Sequence, residues 1–246
     1  QLGWIDELWA QIGDMVLYRR EDDILILPPN RVYKLNETAR TLIQWLSSGK
    51  KIAQLQGLRD VQKGDVDIFF KQILQAMRGY QPACRQISYD FNYTKLPVLG
   101  EIALTYRCNN RCQFCYAGCD GANARLDSPD LPTGEIKKII DIFKHEAKIP
   151  FFSFTGGEPL LRKDLENLIS YAHDLGLKTN LVSNGRLLSA ARAQALASAG
   201  LGSAQISIEA PEAALHDEVC GIEGAFAQSV AGIKHLQDAG IAVQSN

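Results

Sequence analysis

The chain lacks several features that would assign it quickly. No apolar run is long enough to cross a bilayer as a helix, and the first residues show no basic-then-apolar targeting pattern. No block of lysine and arginine stands out, and the formal charge over 246 residues is only -2. Nucleic acid is thereby excluded as the main partner. Cysteine is sparse outside one place, with four of the six between positions 108 and 119. These absences point to a cytoplasmic protein with no membrane and no nucleic acid among its partners. In a reducing compartment clustered cysteines read as metal ligands rather than disulfides. Spacings of three and four residues would also strain a local disulfide.

What is present is organised around Cys108-Asn109-Asn110-Arg111-Cys112-Gln113-Phe114-Cys115, with a further thiol at Cys119. Four thiolates would close the shell of a structural metal, whereas three would leave an iron open for chemistry.

Residues 1–80 form a self-contained pattern. Ile24 to Leu27 reads as a strand, Pro28-Pro29-Asn30 as a turn and Val32 to Leu35 as the return strand of a hairpin. Asn36 is placed to cap a helix with Ala39, Leu42, Ile43 and Leu46 on one face, closed by Gly49. A short helix is expected around Ile52 to Leu58, and a third from a cap at Asp65, with Val66, Phe69, Phe70, Ile73, Leu74 and Met77 aligned. A hairpin with three short helices outlines a small winged-helix unit. The run from Leu25 through Pro28-Pro29, Val32, Leu35-Asn36, Ala39 and Gly49 to Asp65-Val66 resembles a PqqD-like domain. That resemblance implies recognition of the leader of a ribosomally made precursor peptide, which adds as a strand to the hairpin edge. Residues 81–98, with Pro82, Cys84 and Pro97, read as a linker with some strand around Ile87 to Phe91.

From residue 99 onward strands and helices alternate. The expected strands are Ile102 to Tyr106, Phe151 to Phe154, Leu177 to Val182, Ala204 to Ile208 and Ile241 to Gln244. Helices capped by Thr133 and Asp164, a helix from Ser189 to Ala199 and one carrying Phe226, Val230, Ile233 and Leu236 separate them. Such βα units require parallel strands and right-handed crossovers, so the fold class is α/β. A parallel barrel needs more than five strands, which suggests a chain truncated within the barrel.

Ligands of parallel folds sit at the C-terminal strand ends. The cysteine loop, Thr155-Gly156-Gly157-Glu158-Pro159, Ser183-Asn184-Gly185, Ser207 with Glu209, and Asn246 all fall there. The cysteine loop together with Gly156-Gly157-Glu158-Pro159 resembles the radical S-adenosylmethionine (SAM) superfamily over residues 99–246. The resemblance implies a partial (β/α) radical SAM barrel in which Cys108, Cys112 and Cys115 hold a [4Fe–4S] cluster, whose fourth iron binds SAM. Reductive cleavage of SAM then yields a radical that abstracts a substrate hydrogen, and no catalytic side chain is implied beyond the cluster.

By the same resemblance Phe114 packs near the adenine, Gly156 and Gly157 admit the methionine end of SAM, and Glu158 accepts from its ammonium. Ser183, Asn184, Ser207 and Glu209 would meet ribose or carboxylate oxygens. Two positions depart from the pattern: Cys220 stands where relatives commonly carry arginine before the glycine, and Cys119 lies outside the core motif. The implied partners are a precursor peptide bound at residues 1–80 and an electron donor such as flavodoxin or ferredoxin. Auxiliary iron–sulfur clusters would lie outside this stretch. The other readings are a radical SAM enzyme of haem or small-cofactor biosynthesis, and a non-catalytic protein holding zinc or a closed cluster with all four cysteines.

Overall fold

The computed structural model describes residues 2–27, 31–55, 60–80, 95–119 and 129–246. It divides into two units, Gln1–Leu96 and Pro97–Asn246. No helix among the described residues is long and apolar enough to cross a membrane.

The first unit contains α1 (Gly3–Ile12), β1 (Leu17–Arg19), β2 (Ile24–Leu27), β3 (Arg31–Lys34), α2 (Glu37–Ser47), a 3₁₀ turn at Ile52–Gln54 and α3 (Asp60–Met77). The strands form an antiparallel sheet in the order β1-β2-β3. All four residues of central β2 are buried. Asn36 caps α2 as expected, its side chain accepting from Ala39 N at 2.9 Å. Ile5, Leu8 and Ile12 of α1 join Leu42, Ile43, Val66, Phe70 and Ile73 in one core.

Three features of this unit differ from expectation. α1 and β1 precede the hairpin in a stretch the sequence pattern leaves unassigned. Trp4, Ile5, Leu8, Trp9 and Ile12 form an apolar stripe at helical spacing that packs on the core, a signal the sequence carries. α3 begins at Asp60, so Asp65 sits inside the helix rather than capping it. Of the helix expected around Ile52 to Leu58, Ile52–Gln54 forms a 3₁₀ turn whose first amide is held by the Asp6 carboxylate at 2.7 Å, and positions 56–58 lie outside the described residues. The Pro28-Pro29-Asn30 turn, most of the expected linker including Cys84, and the strand around Ile87 lie outside the described residues.

The second unit contains β4 (Leu99–Ala103), α4 (Thr133–His145), β5 (Phe151–Thr155), a 3₁₀ turn at Pro159–Leu161, α5 (Leu165–Asp174), β6 (Lys178–Ser183), α6 (Ala190–Ser198), β7 (Ser203–Ile206), α7 (Ala213–Cys220), α8 (Ala225–Asp238) and β8 (Ala242–Ser245). The strands pair in chain order and every pairing is parallel, as a partial (β/α) barrel requires. Phe152, Phe154, Leu181, Ala204 and Ile206 are buried with Ile136, Ile140, Leu165, Leu168, Ile169, Leu196 and Leu236 from the helices.

β4 ends at Ala103 rather than Tyr106. Beyond Ala103 the chain leaves the regular ladder and spends its backbone groups on the loop after β5. Ser189 caps α6 through Arg192 N at 3.2 Å. Thr133 and Asp164 do not cap as expected: their side chains bond each other at 2.6 Å, because Arg162 draws the Asp164 carboxylate sideways into a bidentate pair. α7 is a helix that the sequence pattern presents only as a motif stretch, since its eight residues bury just His216 and Cys220.

Candidate functional site

The cysteine loop leaves the end of β4 and is fastened on three sides. On the first, Leu104 N donates to Thr155 O at 2.8 Å, while Gly157 N and Glu158 N donate to the carbonyls of Thr105 (2.7 Å) and Arg107 (2.8 Å). Gly156 has φ +143°, and a Cβ there would strike the Thr105 backbone. A Cβ on Gly157 would strike the Arg107 carbonyl. The two glycines therefore permit one strand-end loop to lie directly on another. Both glycines also line the cleft that holds the loop cysteines.

On the second side Arg186, just beyond β6, donates from Nη1 to Asn109 O (2.6 Å) and Asn110 Oδ1 (2.7 Å). Asn184 Nδ2 adds a bond to Asn109 Oδ1 at 2.7 Å. On the third, Arg111 N and Gln113 N donate to the carbonyls of Cys220 (2.9 Å) and Val219 (3.1 Å) at the end of α7. Gly221, at φ +68°, turns the chain there with the Arg111 carbonyl 2.9 Å from where a Cβ would stand.

These fastenings bring Cys108, Cys112 and Cys115, all half-buried, into one cleft of about 160 Å³. Each sulfur has at least one hydrogen-bond donor beside it. Cys108 Sγ accepts from Asn110 N at 3.4 Å and, more distantly, from Asn184 Nδ2 at 3.9 Å. Cys115 Sγ accepts from Cys119 N at 3.4 Å. Cys112 is hydrogen-bonded by the side chains of Cys220 and Asn110. Burial pushes the thiols of Cys108 and Cys112 up, with those hydrogen bonds opposing it. Burial, and then the neighbouring Cys112, push Cys220 up to about 12. Held as thiolates, the three loop cysteines need positive charge beside them, which a metal supplies.

Glu158 is fully buried. Its Oε1 accepts from Leu160 N (3.0 Å) and Ser183 Oγ (2.8 Å), and its Oε2 from Asn184 N (2.9 Å). Burial pushes this carboxyl up and the three donors pull it down. The carboxylate thus ties the loop after β5 to the end of β6. It is enclosed among these three donors. Ser183 is likewise committed, donating to Glu158 and accepting from Gly185 N at 2.9 Å. Phe114, Ser207 and Glu209 line the cleft with open side chains, and Phe114 is 57% exposed.

The radical SAM superfamily model matches residues 102–246. The chain belongs to the radical SAM superfamily. An AdoMet-dependent heme synthase of Oleidesulfovibrio alaskensis is 39% identical over 165 residues, covering 67% of this chain and 38% of the relative. A PqqA peptide cyclase of Rhodopseudomonas palustris is 35% identical over 135 residues, covering 55% of this chain and 35% of the relative. The chain thus spans well under half the length of these curated relatives. Among solved structures, Streptococcus suis SuiB bound to precursor peptide SuiA aligns over 95% of this chain and 55% of its own, with TM-score 0.61 and 20% identity. That likeness concerns the fold.

For a radical SAM protein the donor set, three cysteines lining one cleft, suits a [4Fe–4S] cluster, while no three His, Cys, Asp or Glu side chains among the described residues are gathered around a single ion site. Three cysteine sulfurs come from one loop, each with a donor beside it, as cluster thiolates require. Cys119 is buried and gives its amide to Cys115, which suits a supporting place beside the ligands. Asn110 and Arg186 shape the loop and are missed by sequence reasoning, whereas Cys220 enters there only as a departure from the pattern. Asn110 sits inside the cysteine motif and Arg186 directly follows Ser183-Asn184-Gly185, so position alone could have flagged both. His216 touches Glu209 N, Cys220 and Phe226, so it bears on the loop only through Cys220.

Proposed function

We propose that this chain is the recognition and SAM-cleaving part of a cytoplasmic radical SAM enzyme that modifies a ribosomally made precursor peptide by hydrogen abstraction. When bound, the cluster and SAM supply one-electron cleavage of SAM at the open iron, fed by a donor such as flavodoxin or ferredoxin. Cys108, Cys112 and Cys115 would hold the cluster, while Phe114, Ser207 and Glu209 offer side chains to SAM from the cleft. Gly156, Gly157, Glu158, Ser183 and Asn184 hold the strand-end loops in register around it. Auxiliary clusters, where present, belong to parts of the protein outside this sequence.

The observation that carries the peptide reading is a groove of about 180 Å³ in the first unit, lined by Leu27, Tyr33, Leu35, Phe69, Ile73 and Ala76. It runs beside β3, an end strand of the sheet among the described residues, and its apolar floor suits alternate side chains of an extended leader. On this reading residues 1–80 are a PqqD-like domain joined to the barrel by 81–98, and the groove takes the leader.

The test incubates the full-length, cluster-loaded protein with SAM, reductant and a candidate precursor, followed by mass spectrometry. A mass change in the peptide with release of 5′-deoxyadenosine supports the reading. Leader binding, read by anisotropy, should weaken in Phe69→Ala. A precursor that neither binds nor changes mass sinks it. The second reading, haem biosynthesis, draws on the 39% identity to heme synthases, and turnover of a porphyrin substrate by the same preparation would favour it.

A further inference from the structure

His216 is 1% exposed, and its ring stands edge-on to Phe226 with centroids 5.6 Å apart. Its Nδ1 accepts the backbone N–H of Glu209, just beyond β7, at 3.1 Å. A backbone amide can only donate, so Nδ1 is unprotonated and the imidazole proton resides on Nε2. Nε2 lies 3.5 Å from the Cys220 sulfur one turn along α7, an i, i+4 spacing that faces the two side chains alike. The Nε2–H therefore donates to Cys220 Sγ. Cys220 lies beside Cys112, and both line the same cleft. The backbone enforces that contact: Arg111 N and Gln113 N pair with the carbonyls of Cys220 and Val219, so Cys112 lies between the two residues clamped to the end of α7. With its own sulfur already accepting from His216, Cys220 has its S–H left to give, and Cys112 is the neighbouring sulfur in the cleft.

We propose that Glu209 N–H, His216 and Cys220 form a one-way hydrogen-bond relay that ends on the Cys112 sulfur and raises the reduction potential of the cluster held there. Each bond polarises the next, which strengthens the last donor in the chain. A donor on a cluster thiolate stabilises the more negative, reduced cluster over the oxidised one. His216 and Cys220 are positioning residues: neither replaces a ligand, and the relay sets how easily the cluster accepts the electron it must pass to SAM. The relay concerns the cluster alone and is independent of which substrate the enzyme takes.

The test is the midpoint potential of the reconstituted holoenzyme, followed by EPR-monitored redox titration without substrate, with iron and sulfide content as controls. Cys220→Ala should move the potential to more negative values at unchanged iron content. Cys220→Ser keeps a donor and should stay near wild type. His216→Phe preserves the ring contact with Phe226, removes the Nε2–H and should move the potential in the same direction as alanine by a smaller amount. An alanine variant at the wild-type potential overturns the relay. So does a serine variant that shifts together with alanine, because that outcome assigns the effect to packing. If Cys220→Ala loses its iron, His216→Phe decides alone: a wild-type potential there overturns the proposal, and a negative shift upholds it.

Discussion

Replacing Glu158 by glutamine probes the brace between the two glycine-bearing strand ends. The carboxylate has no exposed surface and accepts three donors, two of them the backbone amides of Leu160 and Asn184. In Glu158→Gln one oxygen becomes an NH₂ group, so whichever way the amide is turned a backbone N–H faces another donor. A hydrogen bond to a charged acceptor contributes about 1.5–3 kcal/mol and an orphaned buried donor costs about 1–3 kcal/mol, two overlapping figures for one event. Relief from burying a charge acts the other way, leaving a net local loss of about 2 kcal/mol. At about 1.4 kcal/mol per factor of ten, local opening becomes about 30-fold more frequent. Hydrogen–deuterium exchange of peptides covering 158–162 and 183–186 reads this directly, with peptides from α4 as the internal standard. Unchanged exchange at Leu160 and Asn184 would refute the assignment of Glu158 as the brace.

Three further outcomes are expected. The hydrogen-bonded Arg162 guanidinium holds Asp164 at about 2, against an ordinary value of 3.8, with Thr133 adding to it and burial opposing. Because the folded value is depressed, the stabilisation is complete above pH 3.8 and is lost as pH falls through about 2. It amounts to about 1–2 kcal/mol once partial exposure is allowed for, and urea midpoints followed from pH 5 downward should lose that slope in Asp164→Asn. Cys112→Ser should abolish both cluster incorporation and SAM cleavage, whereas Cys119→Ser should leave both largely intact; iron analysis and 5′-deoxyadenosine release check the pair. Gly221→Ala must place a side chain at φ +68° against the Arg111 carbonyl, a strain of about 1–2 kcal/mol. Reduced iron uptake on reconstitution, with α4 exchange unchanged, is the expected sign that the turn after α7 shapes the cysteine loop.

The sequence by itself determined the chemistry-bearing loops and the order of the barrel segment. Three cysteines at fixed spacing, a glycine pair after an apolar strand and alternation of strand with helix are local signals, set by thiolate chemistry, backbone freedom and burial on a parallel sheet. The residues they single out, Cys108, Cys112, Cys115, Phe114, Gly156, Gly157, Ser183, Asn184, Ser207 and Glu209, line one cleft. The apolar stripe of α1, the early start of α3 and the short α7 escaped notice; α7 buries only two residues and is held by a distant partner, Arg111 N on the Cys220 carbonyl.

Tertiary structure alone decided what several of those residues do. Glu158 and Ser183 turn inward because two backbone amides 24 positions apart in sequence meet at one carboxylate. Gly156 and Gly157 serve a loop-on-loop contact that no spacing rule contains. His216 and Cys220 reach the cysteine motif from more than 100 positions away. A sequence pattern encodes which groups are available, whereas the partners that fix their protonation, orientation and exposure are chosen only when the strand ends converge.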